Sequence, residues 1–317
     1  MRVRVLHHDH CFDGAASAAF VTRFLEAKFY PGAEFVYRGL AHRADQLFED
    51  GYFDGDANVI VDFKYSTDPR LTWWFDHHQS AFLSPEDAEH FRQESGGRKM
   101  FDPSFLSCTK YIATIAAGRF GYTAPDLEEL VTWADIVDGA LYQSAQSAVE
   151  MHEPAMKLTL VIESAEGPAL GKKIIRLMQQ QPLAQIVEDP EIQALFRKQQ
   201  EKHLRTMDVI RKEGACDHGV IYFDLVNYGI EGYNKFVPYY LFPDSGYTVS
   251  VSTSSFRTKV SVGSNPWARS PLRHNLASIC ERYGGGGHAK VGAISFPIGA
   301  LAEARKAALE IREELKN

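Results

Sequence analysis

The sequence predicts an α/β fold: a parallel sheet flanked by helices, then a helical connector, then a smaller α/β unit. Three observations carry this. Over residues 1–140 short apolar runs alternate with helical stretches, the pattern of a mostly parallel sheet covered on both sides. From about residue 140 to 212 the pattern is helical throughout. After Gly214, β-branched and aromatic residues return in short runs. The chain's 317 residues are enough for two domains of ordinary size, and a hydrophobic share of 45% is that of a folded protein. The boundaries read from these shifts are 1–187, a connector over 188–213, and 214–317.

Residues 2–6 read as a strand and 14–29 as an Ala-rich helix with apolar spacing. Residues 35–40, 58–63 and 71–75 read as further strands. The run Asn-Val-Ile-Val-Asp-Phe at 58–63 suits a strand buried on both faces. Residues 111–120 and 127–136 read as helices. Asp189-Pro190 starts another helix, with Asp as cap and Pro in the first turn, that runs polar and charged to Lys212. Beyond it, 220–225, 247–253, 259–262 and 291–296 read as strands, a Gly-rich turn precedes the last of them, and 300–315 closes the chain as a helix.

Composition excludes some classes. A formal net charge of −7 argues against a protein that grips long nucleic acid by a basic surface. Basic residues nevertheless gather late: Arg257, Lys259, Arg269, Arg273, Arg282 and Lys290 stand against the single acid Glu281. Aspartates cluster early, around positions 45–76. No run of about 18 apolar residues suggests a membrane span. The N-terminal apolar stretch ends at His7, too short for the core of a signal peptide, and the four scattered cysteines form no framework, so a reduced, cytoplasmic setting is expected.

The residues that carry chemistry fall at strand ends, where ligands of parallel sheets collect. Trp73-Trp74-Phe75 stops abruptly at Asp76-His77-His78. His7-His8-Asp9-His10-Cys11-Phe12-Asp13 follows the first strand, and Gly14 then opens a helix. Asp62 ends the buried run Val59-Ile60-Val61, where a carboxylate is costly unless paired or bound to metal. Asp135 lies in an apolar helical context at a similar cost. Asp13, Asp62, His77 and Asp135 together offer oxygen and imidazole ligands, which suit Mn²⁺, with Mg²⁺ or Co²⁺ as the alternatives. Such ions activate water and clamp an in-line displacement at phosphorus. Late in the chain, Gly284-Gly285-Gly286-Gly287-His288, bracketed by Arg282 and Lys290, reads as a phosphate cradle that Arg257 can complete by a two-pronged contact.

These motifs, in this order, resemble the DHH phosphoesterase superfamily, in its branch with a C-terminal DHHA1 domain, which includes RecJ-type exonucleases and nanoRNases. The resemblance spans nearly the whole chain: His8…Asp13-Gly14, then Asp62, Asp76-His77-His78 and Ala134-Asp135, with Ser107-Cys108-Thr109 as the polar turn before a helix and Gly284–His288 with Gly292 as the DHHA1 signature. It implies that Asp62 bridges two ions and that Asp13, His77 and Asp135 complete one of them. The N-terminal histidine would hold the other. His78 would meet substrate phosphate as a catalytic residue, with Asp76 supporting the histidines, and Arg257, Gly286, Gly287 and His288 would bind a distal phosphate or base.

One departure stands out. Where the family's first motif has an aspartate, this chain has Cys11. A Cys11 thiolate favouring a softer ion, a reach from Asp9 or His10, or one tight ion instead of two would each accommodate it. Strand alternation from Val3 and Val5 turns His7 toward the packed face, favouring His8, while His7 keeps the family's usual offset; both stay open. The expected activity is hydrolysis of phosphoester bonds in short single-stranded oligonucleotides or linear dinucleotides. The alternatives are a phosphatase of 3′-phosphorylated nucleotides and a non-catalytic nucleotide-binding protein. The aromatic stretch 233–242 offers either a homodimer face or core packing.

Overall fold

In the computed structural model the described residues are 1–41, 48–269 and 271–317; Asp45, of the early acidic cluster, lies outside them. The chain divides into two compact units, one of Met1–Tyr142 with His152–Arg197, the other of Gln143–Met151 with Lys198–Asn317.

The first unit is built from β1 (Arg2–His8), α1 (Phe12–Lys28), β2 (Glu34–Leu40), β3 (Ala57–Val61), β4 (Leu71–Asp76), α2 (Pro85–Arg92), β5 (Lys99–Phe101), α3 (Cys108–Phe120) and α4 (Glu128–Asp138). All five strands are parallel, in the order β2-β1-β3-β4-β5. That order reverses direction between β1 and β3, and such a switch point leaves a crevice beyond the carboxyl ends of the two strands.

Pleating sends alternate residues to two cores. Val3, Val5, Val59, Val61, Trp73 and Phe75 pack with α1, α3 and α4 on one face. Leu6, Ile60 and Trp74 pack with Phe63, Tyr65 and Phe82 on the other. β3 is buried at every position, as its unbroken apolar run predicts. The paired tryptophans satisfy their indole N–H groups locally, Trp74 donating to the Phe63 carbonyl at 2.8 Å and Trp73 to the Tyr30 hydroxyl at 3.0 Å. Gly14 is required by close approach: a Cβ there would lie 2.2 Å from the His8 carbonyl oxygen, so only glycine lets α1 turn back against the end of β1.

The helical stretch resolves into α5 (Ala145–Val149), α6 (Pro154–Glu163), α7 (Pro168–Met178), α8 (Leu183–Ile186) and α9 (Pro190–Glu213). Asp189 caps α9, its Oδ1 accepting from the Glu191 and Ile192 amides at 3.0 and 3.3 Å. The α5 segment groups with the C-terminal residues because Val149 accepts from His203 at 2.9 Å and Ala148 from Asn234 at 2.9 Å. Within α9, residues up to Arg197 group with the first unit and those from Lys198 with the second.

The second unit holds β6 (Ala215–Asp217), β7 (Val220–Asp224), α10 (Val237–Leu241), β8 (Tyr247–Thr253), β9 (Thr258–Ser264), α11 (Leu276–Glu281), β10 (Gly286–His288), β11 (Val291–Phe296) and α12 (Leu301–Leu315). Its six strands run β10-β11-β9-β8-β7-β6, antiparallel apart from the β7–β8 pair. Val249, Val251, Val260 and Val262 form one face, covered by Ala304, Ala308 and Ile311 of α12 and by Leu276 and Ile279 of α11. In the aromatic stretch 233–242, Phe236, Val237 and Tyr239 are buried, so core packing takes up those three side chains. Among the described residues no helix is long and apolar enough to cross a membrane.

Candidate metal centre

Asp62 stands one residue past β3, with its backbone in the left-handed region at φ 56°. A non-glycine residue held there carries about 1–3 kcal/mol of strain, and such strain gathers at functional sites. Its amide donates to the Phe75 carbonyl at 3.0 Å, which fixes the turn against the end of β4. The carboxylate is 1% exposed, and neither oxygen has a hydrogen-bond partner among the described residues. A buried polar atom left unsatisfied costs about 1–3 kcal/mol, and more when charged.

His77 meets it from the end of β4. Its Nδ1–H donates to the Phe105 carbonyl at 3.0 Å, which leaves Nε2 as the ring's lone-pair nitrogen. That nitrogen is buried and also lacks a hydrogen-bond partner among the described residues. Three carboxylates surround it: Asp138 at 3.3 Å, Asp62 at 3.4 Å and Asp13 at 3.9 Å. Asp13, fully buried, is held from behind by the start of α3, accepting from the Cys108 and Thr109 amides at 2.7 and 3.0 Å and the Thr109 hydroxyl at 2.6 Å. The Ser107-Cys108-Thr109 turn therefore has a positioning task besides opening its helix, which Ser107 caps.

Asp138, not named as a ligand from the sequence, lies beside Asp13 and His77. Asp13, His77 and Asp138 each bring one ligand atom to within 4.8 Å of the others, and Asp135 is not in that group. Asp135 instead accepts from the Ser107 hydroxyl at 3.1 Å, tying α4 to the start of α3. The two aspartates are three residues apart on α4, so they share a face one turn apart. The only signal for Asp138 is weak: an acid on the last turn of a helix opposes the helix dipole, as acids at many solvated helix ends do.

On the other side of Asp62 lies a second group. His8, Cys11 and Asp62 bring ligand atoms to within 4.8 Å of one another, and so do Asp62, His77 and His78. His8 Nδ1 is 3.5 Å from Asp62 Oδ2. His7 faces the packed side, 4% exposed, and its Nδ1 bonds the His8 carbonyl oxygen at 3.0 Å, so it joins neither group. His78 is gripped by Asp76, whose Oδ1 lies 2.7 Å from its Nδ1 and also accepts the His77 amide at 2.9 Å.

The electrostatics are those of an anionic cluster that favours a cation. Burial, with Asp62 and Asp138 nearby, pushes the Asp13 carboxyl well above the usual range. Burial and the Asp62 charge push Asp138 up to about 6. Burial opposes charge on His77, yet the surrounding carboxylates, Asp62 foremost, outweigh it and raise the imidazole to about 10. Burial alone would raise Asp62 too, but His77, His8 and His78 hold it below the carboxylate range. A proton on His77 Nε2 would supply positive charge there. A divalent ion would supply it better and would satisfy the orphaned oxygens and Nε2, so the residues present fit such an ion.

The remaining candidates lie in the second unit. Gly286–His288 is not the turn expected but the edge strand β10, paired with β11 from Gly286↔Ala293 to His288↔Val291. Glycine has no side chain to show strand propensity, and here its smallness is used: a Cβ on Gly287 would sit 2.2 Å from the Val291 carbonyl oxygen, and its φ is 152°. An edge strand keeps one row of backbone groups open, which suits capture of an anion. Arg257, just before β9, donates to Ser295 Oγ at 2.9 Å, and Ser295 pairs with Lys259. The Arg257 guanidinium thus stands at the same strand, β11, that pairs with the glycines. His288 is exposed.

No protein-family model matches the chain, and neither does any curated protein. Among solved structures, a pGpG-specific phosphodiesterase from Vibrio cholerae matches with TM-score 0.73 at 17% identity, over 99% of this chain and all of that one. A DHH domain from a member of a family of ribosomal proteins matches with TM-score 0.61 at 15% identity, over 100% of this chain and 87% of that one. RecJ from Thermus thermophilus in complex with Mn²⁺ matches with TM-score 0.58 at 15% identity, over 99% of this chain and 52% of that one. The chain has the fold of the DHH-domain proteins, a parallel five-stranded unit followed by a mixed six-stranded one.

Proposed function

We propose that this chain is a divalent-metal-dependent phosphodiesterase acting on short oligonucleotides or linear dinucleotides. The observation that carries the reading is the buried set around Asp62, whose carboxylate oxygens and the facing His77 Nε2 have no partner among the described residues. The fold shared with a pGpG-specific phosphodiesterase, matched over all of that chain, and with RecJ supports it. Asp13, His77 and Asp138, with Asp62 beside His77, would hold one ion, Mn²⁺ before Mg²⁺ or Co²⁺, and His8 with Asp62 would serve a second. Bound there, a divalent ion supplies Lewis-acid activation of water and of the phosphoryl group.

The rest falls to the chain's own residues. His78, half-buried, is oriented by Asp76 and offers its other ring nitrogen to substrate phosphate. Asp13 keeps its place through the α3 amides, so the approach to phosphorus is fixed in advance. Within the second unit, Arg257, Gly286, Gly287 and His288 offer contacts suited to a phosphate or base. The acidic balance of the chain disfavours long nucleic acid, which needs many phosphate contacts.

A substrate panel tests this. It compares pGpG-type dinucleotides, short RNA, long single-stranded DNA, 3′-phosphorylated nucleotides and polyphosphate. Dinucleotides and short RNA are expected to be cleaved with a kcat/KM about a hundredfold or more above the long strand. Turnover confined to 3′-phosphorylated nucleotides or polyphosphate would replace the reading with a phosphatase, and no turnover of any of them would remove it.

A further inference from the structure

Asp62 faces two groups of different chemistry. Toward Asp13, His77 and Asp138 the donors are oxygens and one imidazole; toward His8 and Cys11 they include a thiol sulfur. Cys11 is the residue just before α1, in extended backbone at φ −128° and ψ 132°. That places its Sγ within 4.8 Å of donor atoms on both His8 and Asp62. The sulfur belongs to no disulfide, and the nearby Cys108 is differently engaged, its Sγ donating to the Phe75 carbonyl at 3.3 Å. The Asp62 oxygens between these groups are buried without hydrogen-bond partners among the described residues, an observation independent of the cysteine that itself calls for a cation.

We propose that the two ion positions on Asp62 are chemically unequal, and that the one built by His8, Cys11 and Asp62 takes a borderline ion such as Zn²⁺, Fe²⁺ or Co²⁺ through the Cys11 thiolate. This rests on the metal-dependent reading above and extends it to ion identity. Thiolate and imidazole favour such ions over Mn²⁺ and Mg²⁺, which prefer oxygen. Binding exchanges the Cys11 thiol proton, released to solvent, for a sulfur–metal bond. The protein would then work with a mixed pair of ions. Preparations supplied only with Mg²⁺ would fill one position well and the other poorly.

The test uses Co²⁺ as a probe on full-length protein freed of metal by chelation. Wild type is expected to show a sulfur-to-cobalt charge-transfer absorption in the near ultraviolet. Cys216→Ser, altering an exposed cysteine, should keep it. Cys11→Ser should lose the band while equilibrium dialysis still shows Co²⁺ bound at the oxygen-rich position. Cys11→Asp should bind without the band, and its preference for Zn²⁺ over Mn²⁺ should fall about tenfold or more, as expected when a directly bonded donor changes. Bound Co²⁺ without the band in wild type, or a band that survives in Cys11→Ser, overturns the assignment of Cys11 and leaves the metal site standing. No bound Co²⁺ at all overturns both.

Discussion

Asp62→Asn is expected to lower phosphodiester turnover by about a thousandfold or more, the scale lost when a charge-stabilising group is removed from a preorganised site. Asp62 is the one residue common to the two ligand groups that contain Cys11 and His78, and it also lies 3.4 Å from His77 in the group with Asp13 and Asp138. Removing its charge should therefore weaken both of the proposed ion positions at once. The variant should still fold. Asparagine tolerates left-handed backbone better than most residues, so the φ of 56° is not made worse. Its side chain also keeps the size of the original. Circular dichroism and thermal unfolding should match wild type without added metal, while steady-state cleavage of a dinucleotide collapses. Equal turnover in the two proteins would mean that the buried carboxylate is structural.

Asp138→Asn and Asp135→Asn should separate by a wide margin although the two residues are three apart. Asp138 lies 3.3 Å from His77 Nε2 and its carboxyl is pushed up to about 6 by burial and the Asp62 charge, the position of an acid held among like charges until a cation arrives. Loss of its charge should cost about ten- to a hundredfold in metal affinity and at least that in turnover at limiting Mn²⁺. Asp135 does different work. Asparagine can still accept from Ser107 at that site, so Asp135→Asn should leave turnover close to wild type. Metal titrations of activity on both variants check this, and the reverse ranking would put Asp135 back at the ion.

Why one aspartate is legible in the sequence and another is not follows from how each signals. Asp62 ends an apolar run, and no physical reason but pairing or metal puts a carboxylate there. His77 and Asp13 stand out in the same way, at ends of buried strands and beside a glycine that sterics demand. Asp138 closes a helix in front of Gly139, where polar residues are ordinary, and Asp135 sits among apolar neighbours that make it look costly. Only the distance between side chains on neighbouring elements distinguishes them. The fold reads similarly. β3 and β8 are visible because burial on both faces leaves no polar interruption or only small hydroxyl ones. β5 and β10 have three residues each, too few for a period, and α2 buries no residue, so no amphipathic stripe announces it. The family resemblance orders the N-terminal motifs well because they sit at strand ends, where topology leaves little freedom. It is least informative at Cys11, where the chain departs from the pattern and only the distances to His8 and Asp62 decide what the sulfur can reach.

The buried Asp62 carboxylate and His77 Nε2, without hydrogen-bond partners among the described residues, mark on this account a divalent-cation site that drives phosphodiester cleavage. The most direct test is dinucleotide cleavage by chelator-treated protein during a Mn²⁺ titration. No turnover is expected before addition, and a saturable rise is expected as the ion binds. Chelated protein that cleaves as fast as the reconstituted sample would contradict it.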